Sequence, residues 1–491
     1  MLEAVAVSVC LAASWYYNET ILQAYIITLV ILLGLGFMLA YKGRSTQKDV
    51  SKKDGYIVVA LCWLVFPAFA TLPFLFSGYI PSITDAFFEA VSGFTTTGAS
   101  IIDNLEEFPK SLLLWRSMTQ WIGGLGIVFF TIAVLPVFGM GNMPLLTAES
   151  VGPIRTKLHP QIAVTSRWIL LIYVCLTLFG ILSLQLSGMD FFDATCHSMA
   201  AVSTGGFSTK QASIAAFQSP MIEYVITLLM FLGGMNFSLL YLSTLKGRPK
   251  ELFKDGEFRT YLKIVAVFTG ILSVGLYFTT SMDVEEAFRN SIFQVVTILT
   301  TTGFCTLDYM TWAPLLWLMV SFLMYFGACS GSTTGGIKCI RLHLLGRIIS
   351  NEFKKIIHPN QIVPVKLNGK AIPERIMTSI VAFILIYLGM VAIGLVVNMA
   401  FGLDFIEAYG LSLTSVGNVG PGLGFFGPAH SMSSLPDVLK WFSSTQMLLG
   451  RLEFFAFFIL FTSLISVNKL IYFIHIFISF HYYPINTVSD G

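Results

Sequence analysis

Four stretches of this chain can be laid over one another without a gap, and no other feature limits its fold as much. They are residues 85–100 (DAFFEAVSGFTTTGAS), 193–208 (DATCHSMAAVSTGGFS), 290–305 (NSIFQVVTILTTTGFC) and 407–422 (EAYGLSLTSVGNVGPG). The first position holds Asp85, Asp193, Asn290 and Glu407, polar residues of the kind that open helices. The second is small throughout: Ala86, Ala194, Ser291 and Ala408. The fourteenth is always glycine (Gly98, Gly206, Gly303 and Gly420), at spacings of 108, 97 and 117 residues. Self-similarity at such a period sets the architecture before any local feature does. Each copy is apolar for about ten residues, half of what a bilayer crossing needs. The pattern predicts a re-entrant half-helix followed by a loop, four times over.

Long apolar stretches flank these segments. Residues 21–41, 56–76, 122–138, 168–186, 221–245, 261–280, 316–345 (interrupted), 377–401 and 441–466 each approach or exceed the ~20 residues of a membrane span. Residues 4–16 and 470–483 are too short to be read securely as spans. Of the 491 residues, 55% are hydrophobic and 11% charged. Soluble domains carry about 25% charged residues, so lipid must cover much of this surface. A net charge of +2 offers no footprint for nucleic acid. The seven cysteines form no CxxC pair and lie mostly in apolar runs, so they read as small hydrophobes rather than metal ligands or a disulfide framework. The N-terminus lacks a basic n-region and reads as an uncleaved helix.

Basic residues set the sidedness. Those at 42–53, 155–167, 246–263 and 338–375 fall in one alternating set of loops, which the positive-inside rule places in the cytoplasm. The opposite loops hold Lys110, Arg116, Lys210, Arg289 and Lys440. All four aligned segments therefore enter from the outer side.

Irregular backbone at membrane depth is tolerated only where protein buries it or where it lines water. Four such loops around one axis define one central pathway. Their carbonyl oxygens can replace an ion's water shell. Glycine permits backbone angles closed to other residues, and threonine adds a hydroxyl oxygen beside it. The half-helices aim their negative C-terminal ends at the centre, which favours a cation.

Residues 316–345 are broken by Gly327, Gly331, Gly335 and Gly336, with Ser330, Ser332, Thr333 and Thr334 among them and Lys338 following. Each glycine costs a helix interior about 1 kcal/mol. The break predicts unwinding at bilayer depth, a loop under the four segments that obstructs the pathway. A phosphate-binding loop is the competing reading of GSTTGGIK, but GK[ST] and a preceding strand are missing. A kinked helix is the plainer alternative. Arg451 sits inside the last span; an ionisable group there marks function by default. Glu453, two residues on, does not share its helix face, so its partner is sought in the glycine-rich loop. It either limits cation flow or holds the loop shut; a structural salt bridge is the alternative. Glu89 and His197, on the predicted half-helices, suit packing or hydrogen bonding better than ion binding.

The segments TTTGA (95–99), STGGF (203–207), TTTGF (300–304) and NVGPGLG (418–424) resemble the four filter loops of the Trk/Ktr/HKT cation-transporter superfamily, with TrkH-type bacterial potassium-uptake subunits as the nearest branch. QWIGGLGI (120–127), GACSGSTTGGIKCIR (327–341) and MLLGRLEFF (447–455) extend the likeness, which runs from about residue 20 to 466. The resemblance implies an all-α polytopic membrane protein of four fused helix–pore loop–helix repeats around a central pore, plus N-terminal helices. It implies potassium at Thr96, Thr97, Gly98, Thr204, Gly205, Gly206, Thr301, Thr302, Gly303, Asn418, Val419 and Gly420. It also implies an intramembrane gating loop, a homodimer, and a cytoplasmic nucleotide-binding regulator of the TrkA or KtrA type. Nucleotide acts only through that partner, and no cofactor is covalently bound. The chain divides into 1–54 (N-terminal spans and linker), repeats at 55–150, 151–250, 251–360 and 361–466, and an apolar tail at 467–491.

The expected function is gated potassium uptake across the bacterial inner membrane. Symport with sodium or protons is less favoured, because carboxylates for a relay are scarce within the spans. A less selective cation channel is a further alternative, since Asn418, Val419 and Pro421 break the symmetry of the fourth loop. A membrane scaffold does not account for four matched loops, and no catalytic constellation points to an enzyme.

Overall fold

The computed structural model describes residues 2–43, 52–129, 162–361 and 363–454. These residues form seventeen α-helices and one two-stranded hairpin, Lys366–Leu367 with Lys370–Ala371. The predicted tail 467–491, the end of the predicted span 122–138 and the last part of 441–466, from 455 on, lie outside them.

A helical hairpin comes first: α1 (Leu2–Tyr16) and α2 (Leu22–Gly43). One pattern then recurs four times. A long apolar helix leads into a short buried one. These pairs are α3 (Lys52–Ser77) with α4 (Ile83–Phe94), α6 (Ile162–Leu186) with α7 (Phe191–Val202), α11 (Gly256–Thr279) with α12 (Val284–Leu299), and α15 (Glu374–Ala400) with α16 (Phe405–Gly417). After each short helix come a loop and a second helix: α5 (Lys110–Phe129), α8 (Pro220–Gly233), α13 (Pro314–Leu323) and α17 (Asp437–Arg451). The short helices have 12, 12, 16 and 13 residues. At 1.5 Å per residue none crosses a hydrocarbon core of about 30 Å. The long helices do, and they bury little of themselves. In α15 only 28% of the apolar window is covered by protein, and Leu385, Ile393 and Val396 stand exposed. Apolar surface on that scale belongs in lipid.

The short helices are capped just before the aligned polar column, and Asp85, Asp193 and Glu407 of that column fall in the first helical turn. The caps are Ser82, Asp190, Asp283 and Asp404, the last in a capping box with Glu407. Asp85, Asp193 and Glu407 follow one turn later, and Asn290 stands seven residues past its cap. A side-chain oxygen must sit before the first free N–H groups to satisfy them.

Two predicted spans are broken. Residues 221–245 split into α8 and α9 (Phe237–Thr244), bent by 105°. Gly234 and Asn236 make the break: the Asn236 side chain accepts from Ser238 N at 2.8 Å, and the Gly234 carbonyl accepts from Cys329 N at 3.0 Å. The interrupted stretch consists of α13, the loop 327–338, and α14 (Cys339–Ile357). The loop is pinched at its neck, where Gly327 N donates to Ile337 O (2.9 Å) and Ile337 N to Tyr325 O (3.0 Å). It is not a kinked helix.

The repeats close on themselves. Second helices pack on the short helix of the next repeat: α5 on α7, α8 on α12, and α17 back on α4. Tyr325 and Tyr409 hydroxyls meet at 3.1 Å between the third and fourth. At the closing seam Trp441 stacks on Phe87 at 4.7 Å, and Lys440 bonds Asp85 at 2.6 Å.

Candidate ion pathway

Each short helix ends on an unusual turn. The twelfth position of every aligned segment has positive φ: +52° at Thr96, +53° at Thr204 and Thr301, and +55° at Asn418. So does the fourteenth, from +78° at Gly206 to +106° at Gly420, while the residue between them does not. A β-branched threonine in this region is strained, and such strain persists only where the surroundings over-determine it. Thr96, Thr204, Thr301 and Asn418 are fully buried, as are Thr97, Thr302 and Val419.

The four loops form a closed ring. A Cβ on Gly98 would collide with the carbonyl oxygen of Gly205, one on Gly206 with that of Thr302, and one on Gly303 with that of Val419. One on Gly420 would meet the carbonyl oxygen of Thr97. Each glycine thus lies against the position-thirteen carbonyl of the next repeat, and the fourth returns to the first. All four glycines line one open mouth, with Ser100, Ser208, Cys305 and Pro421 above them.

Side chains behind the ring hold it. Arg116 is 1% exposed and Glu89 fully buried; they pair at 2.7 Å. Arg116 also donates to the Ser208 carbonyl (3.0 Å) and the Ser100 hydroxyl (3.1 Å), and covers the Phe207 ring at 4.1 Å. Glu89 accepts from Ile101 N at 3.0 Å. One buried ion pair therefore ties the exits of the first and second loops. Arg116, read from sequence as an outer-loop charge, belongs to the interior of α5, whose start at Lys110 precedes the apolar stretch. His197 bridges Asp193 O (2.8 Å) and Ser208 Oγ (2.9 Å). Gln120 clamps the second loop, donating to Gly205 O at 2.6 Å and accepting from Phe207 N at 3.1 Å.

The loop 327–338 lies against the position-twelve side chains, opposite the mouth. Thr204 Oγ1 donates to Thr333 Oγ1 at 3.0 Å, and Gly335 N donates to Thr301 Oγ1 at 2.8 Å. A Cβ on Gly335 would meet Asn418 Cβ at 3.0 Å. Ser330, Ser332, Thr333 and Thr334 are buried, and Lys338 donates back to the Thr334 carbonyl and hydroxyl. Arg451, 2% exposed, donates from Nη1 to Thr333 O at 2.7 Å. Its Nε and Nη2 have no partner among the described residues. Glu453 pairs with Arg341 instead, at 2.5 Å. Along the axis the order is mouth, glycines, position-thirteen carbonyls, position-twelve side chains, loop.

Sequence reasoning did not single out Gln120, Asn236 or Glu257. Gln120 stands in a stretch, 120–127, that carries the family likeness without marking its role. Glu257 reads as an ordinary first-turn acid, yet it is 3% exposed and bonded to the loop. No periodic signal marks Gln120 or Glu257, because their partners lie 73 to 87 residues away.

A ring of four re-entrant loops among lipid-facing helices defines a polytopic ion-translocating membrane protein. The family model described as TrkH, cation transport protein, matches residues 21–470, and the chain belongs to this family. It is 37% identical over 454 residues to the Trk system potassium uptake protein TrkH of Escherichia coli (strain K12), covering 91% of this chain and 92% of that protein. It is 36% identical over 451 residues to the Halomonas elongata TrkH, covering 91% and 93%. The crystal structure of the potassium transporter TrkH from Vibrio parahaemolyticus superposes with a TM-score of 0.85 at 32% identity, over 94% of this chain and 95% of that one. These relatives are transport proteins, not enzymes.

Proposed function

We propose that the chain takes up potassium across the bacterial inner membrane through its four-loop ring, gated by the loop 327–338. The observation that carries this reading is the closed circuit of glycine on carbonyl, with all four glycines opening into one mouth. Such a ring presents backbone oxygen to a dehydrated cation in fixed positions. The relatives are named as potassium uptake proteins. Potassium passes Thr96, Thr97, Thr204, Gly205, Thr301, Thr302, Asn418 and Val419 in this reading. The loop and Arg451 then close the path, by obstruction and by a cationic charge held near Thr333. The protein works as a homodimer, and a TrkA- or KtrA-type nucleotide-binding subunit docks on the basic cytoplasmic segment 341–375. The fourth loop favours a second reading, a lower preference for potassium over sodium: Val419 offers no side-chain oxygen where Thr97 and Thr302 do.

Cation flux into liposomes tests the proposal, with wild type compared to Gly98→Ser and Gly303→Ser. Wild type is expected to prefer potassium to sodium, and each substitution to lower flux or preference at least tenfold, since each added Cβ meets a carbonyl of the ring. Wild-type potassium flux indifferent to both substitutions would overturn the ring as the filter.

A further inference from the structure

We infer that Glu257 is the positioning residue that seats the 327–338 loop, and that the tip of the cytoplasmic hairpin is its handle. This rests on reading the loop as the gate. The Glu257 carboxylate holds both limbs of the loop. It accepts from Ser330 N (2.6 Å) and Ser330 Oγ (2.8 and 2.9 Å) on the outgoing limb, and from Ile340 N (3.2 Å) where the returning limb becomes α14. Charge-assisted bonds in a buried site are the strong kind. The carboxylate also stands in the first turn of α11, where the helix dipole favours a negative charge. The loop cannot leave its place under the ring without parting from this group.

The two residues before Glu257 are held from the cytoplasmic side. Asn368 donates to Asp255 Oδ2 at 2.8 Å and accepts from Gly256 N at 2.9 Å. It occupies the tip of the hairpin, an Asn-Gly turn with φ of +47° and +83°. Asp255 caps α11 by accepting from Phe258 N at 2.8 Å. Three consecutive residues in one tight turn therefore connect hairpin to carboxylate, leaving no slack. The hairpin has its own small core: Val365, Leu367 and Ile372 pack with Ile340, Leu344, Ile376 and Ile380, apart from the main core. Hairpin, α14 and the start of α15 form one block, and that block grips the loop's anchor. A partner that displaces the hairpin tip acts on the gate through Glu257.

The test reads loop release directly. Cys329, fully buried in the loop's outgoing limb, is kept as the sole thiol of the full-length protein in liposomes. A membrane-impermeant thiol reagent is applied from the cytoplasmic side. In Glu257→Gln, Cys329 is expected to react about tenfold faster, and in Asn368→Ala faster by a smaller factor. Cys196, buried behind the second loop and kept alone in a parallel variant, is expected to react at its unperturbed rate. Unchanged Cys329 labelling in both variants, or equal acceleration at Cys196, overturns the inference. Potassium flux after deletion of residues 330–335 separates the two readings. If deletion raises flux but Glu257→Gln leaves labelling unchanged, only the anchor is wrong. If labelling accelerates but deletion leaves flux unchanged, the anchor stands and the gate reading falls.

Discussion

At the scale of single residues, the ring depends on buried charges held on the helices beside it. Arg116 and Glu89 are both buried, and each uses the other to justify its charge. Removing one partner of a buried pair leaves an uncompensated charge, which costs about 3–5 kcal/mol. Arg116→Met is therefore expected to lower the thermal midpoint in detergent sharply. Arg116→Met combined with Glu89→Gln should recover much of that loss, because the orphaned charge is gone. Equal midpoints for the single and double variants would show that the pair is not coupled. The glycines at position fourteen are legible in sequence, because positive φ and close approach to a carbonyl leave few other choices. Arg116 is not: its partners are 16, 27 and 92 residues away, and a lone arginine beside an apolar stretch resembles a loop charge.

At the scale of elements, each short helix needs its first N–H groups satisfied. Asp404 and Glu407 do this reciprocally for α16. Asp404→Ala is expected to cost about 1 kcal/mol, seen as a modest drop in thermal midpoint with potassium preference unchanged, since the cap lies a full helix away from Asn418. A large shift in preference would instead mean that the helix slides on losing its cap. The existence of all four short helices could be read from their apolar length. Their starts could be read only to within a turn or two, because the caps precede the aligned column, where Asp85, Asp193 and Asn290 are held by partners elsewhere. Asp85 pairs with Lys440, Asp193 bonds Thr209, and Asn290 accepts from Thr306. Likewise α8 and α9 read as one apolar run; the Asn236 cap and the loop that packs into their bend, through Cys329 and Gly331, together explain the break.

At the scale of the whole molecule, Lys354, Lys355, Lys366 and Lys370 are exposed, on α14 and on the hairpin whose tip reaches α11. Charge there steers an acidic partner and governs encounter rate more than affinity. Replacing all four by glutamine is expected to weaken control by the proposed nucleotide-binding subunit at least tenfold in a reconstituted flux assay. Flux in its absence should stay as in wild type, because none of the four touches the pathway. Loss of that basal flux would refute a purely docking role.

Hydrophobic excess, four aligned segments and the asymmetry of basic loops were enough to determine a polytopic helical protein with four re-entrant loops. These features repeat along the chain, and each is enforced locally, by lipid or by backbone geometry. Tertiary structure alone decided how the ring closes, with each glycine against a carbonyl of the next repeat and α17 returning to α4, and which side chains meet the glycine-rich loop. It alone placed Arg116, Gln120 and Glu257 in supporting positions. Such contacts join residues far apart in sequence, and a side chain's need for a distant partner leaves no periodic trace in the chain that carries it.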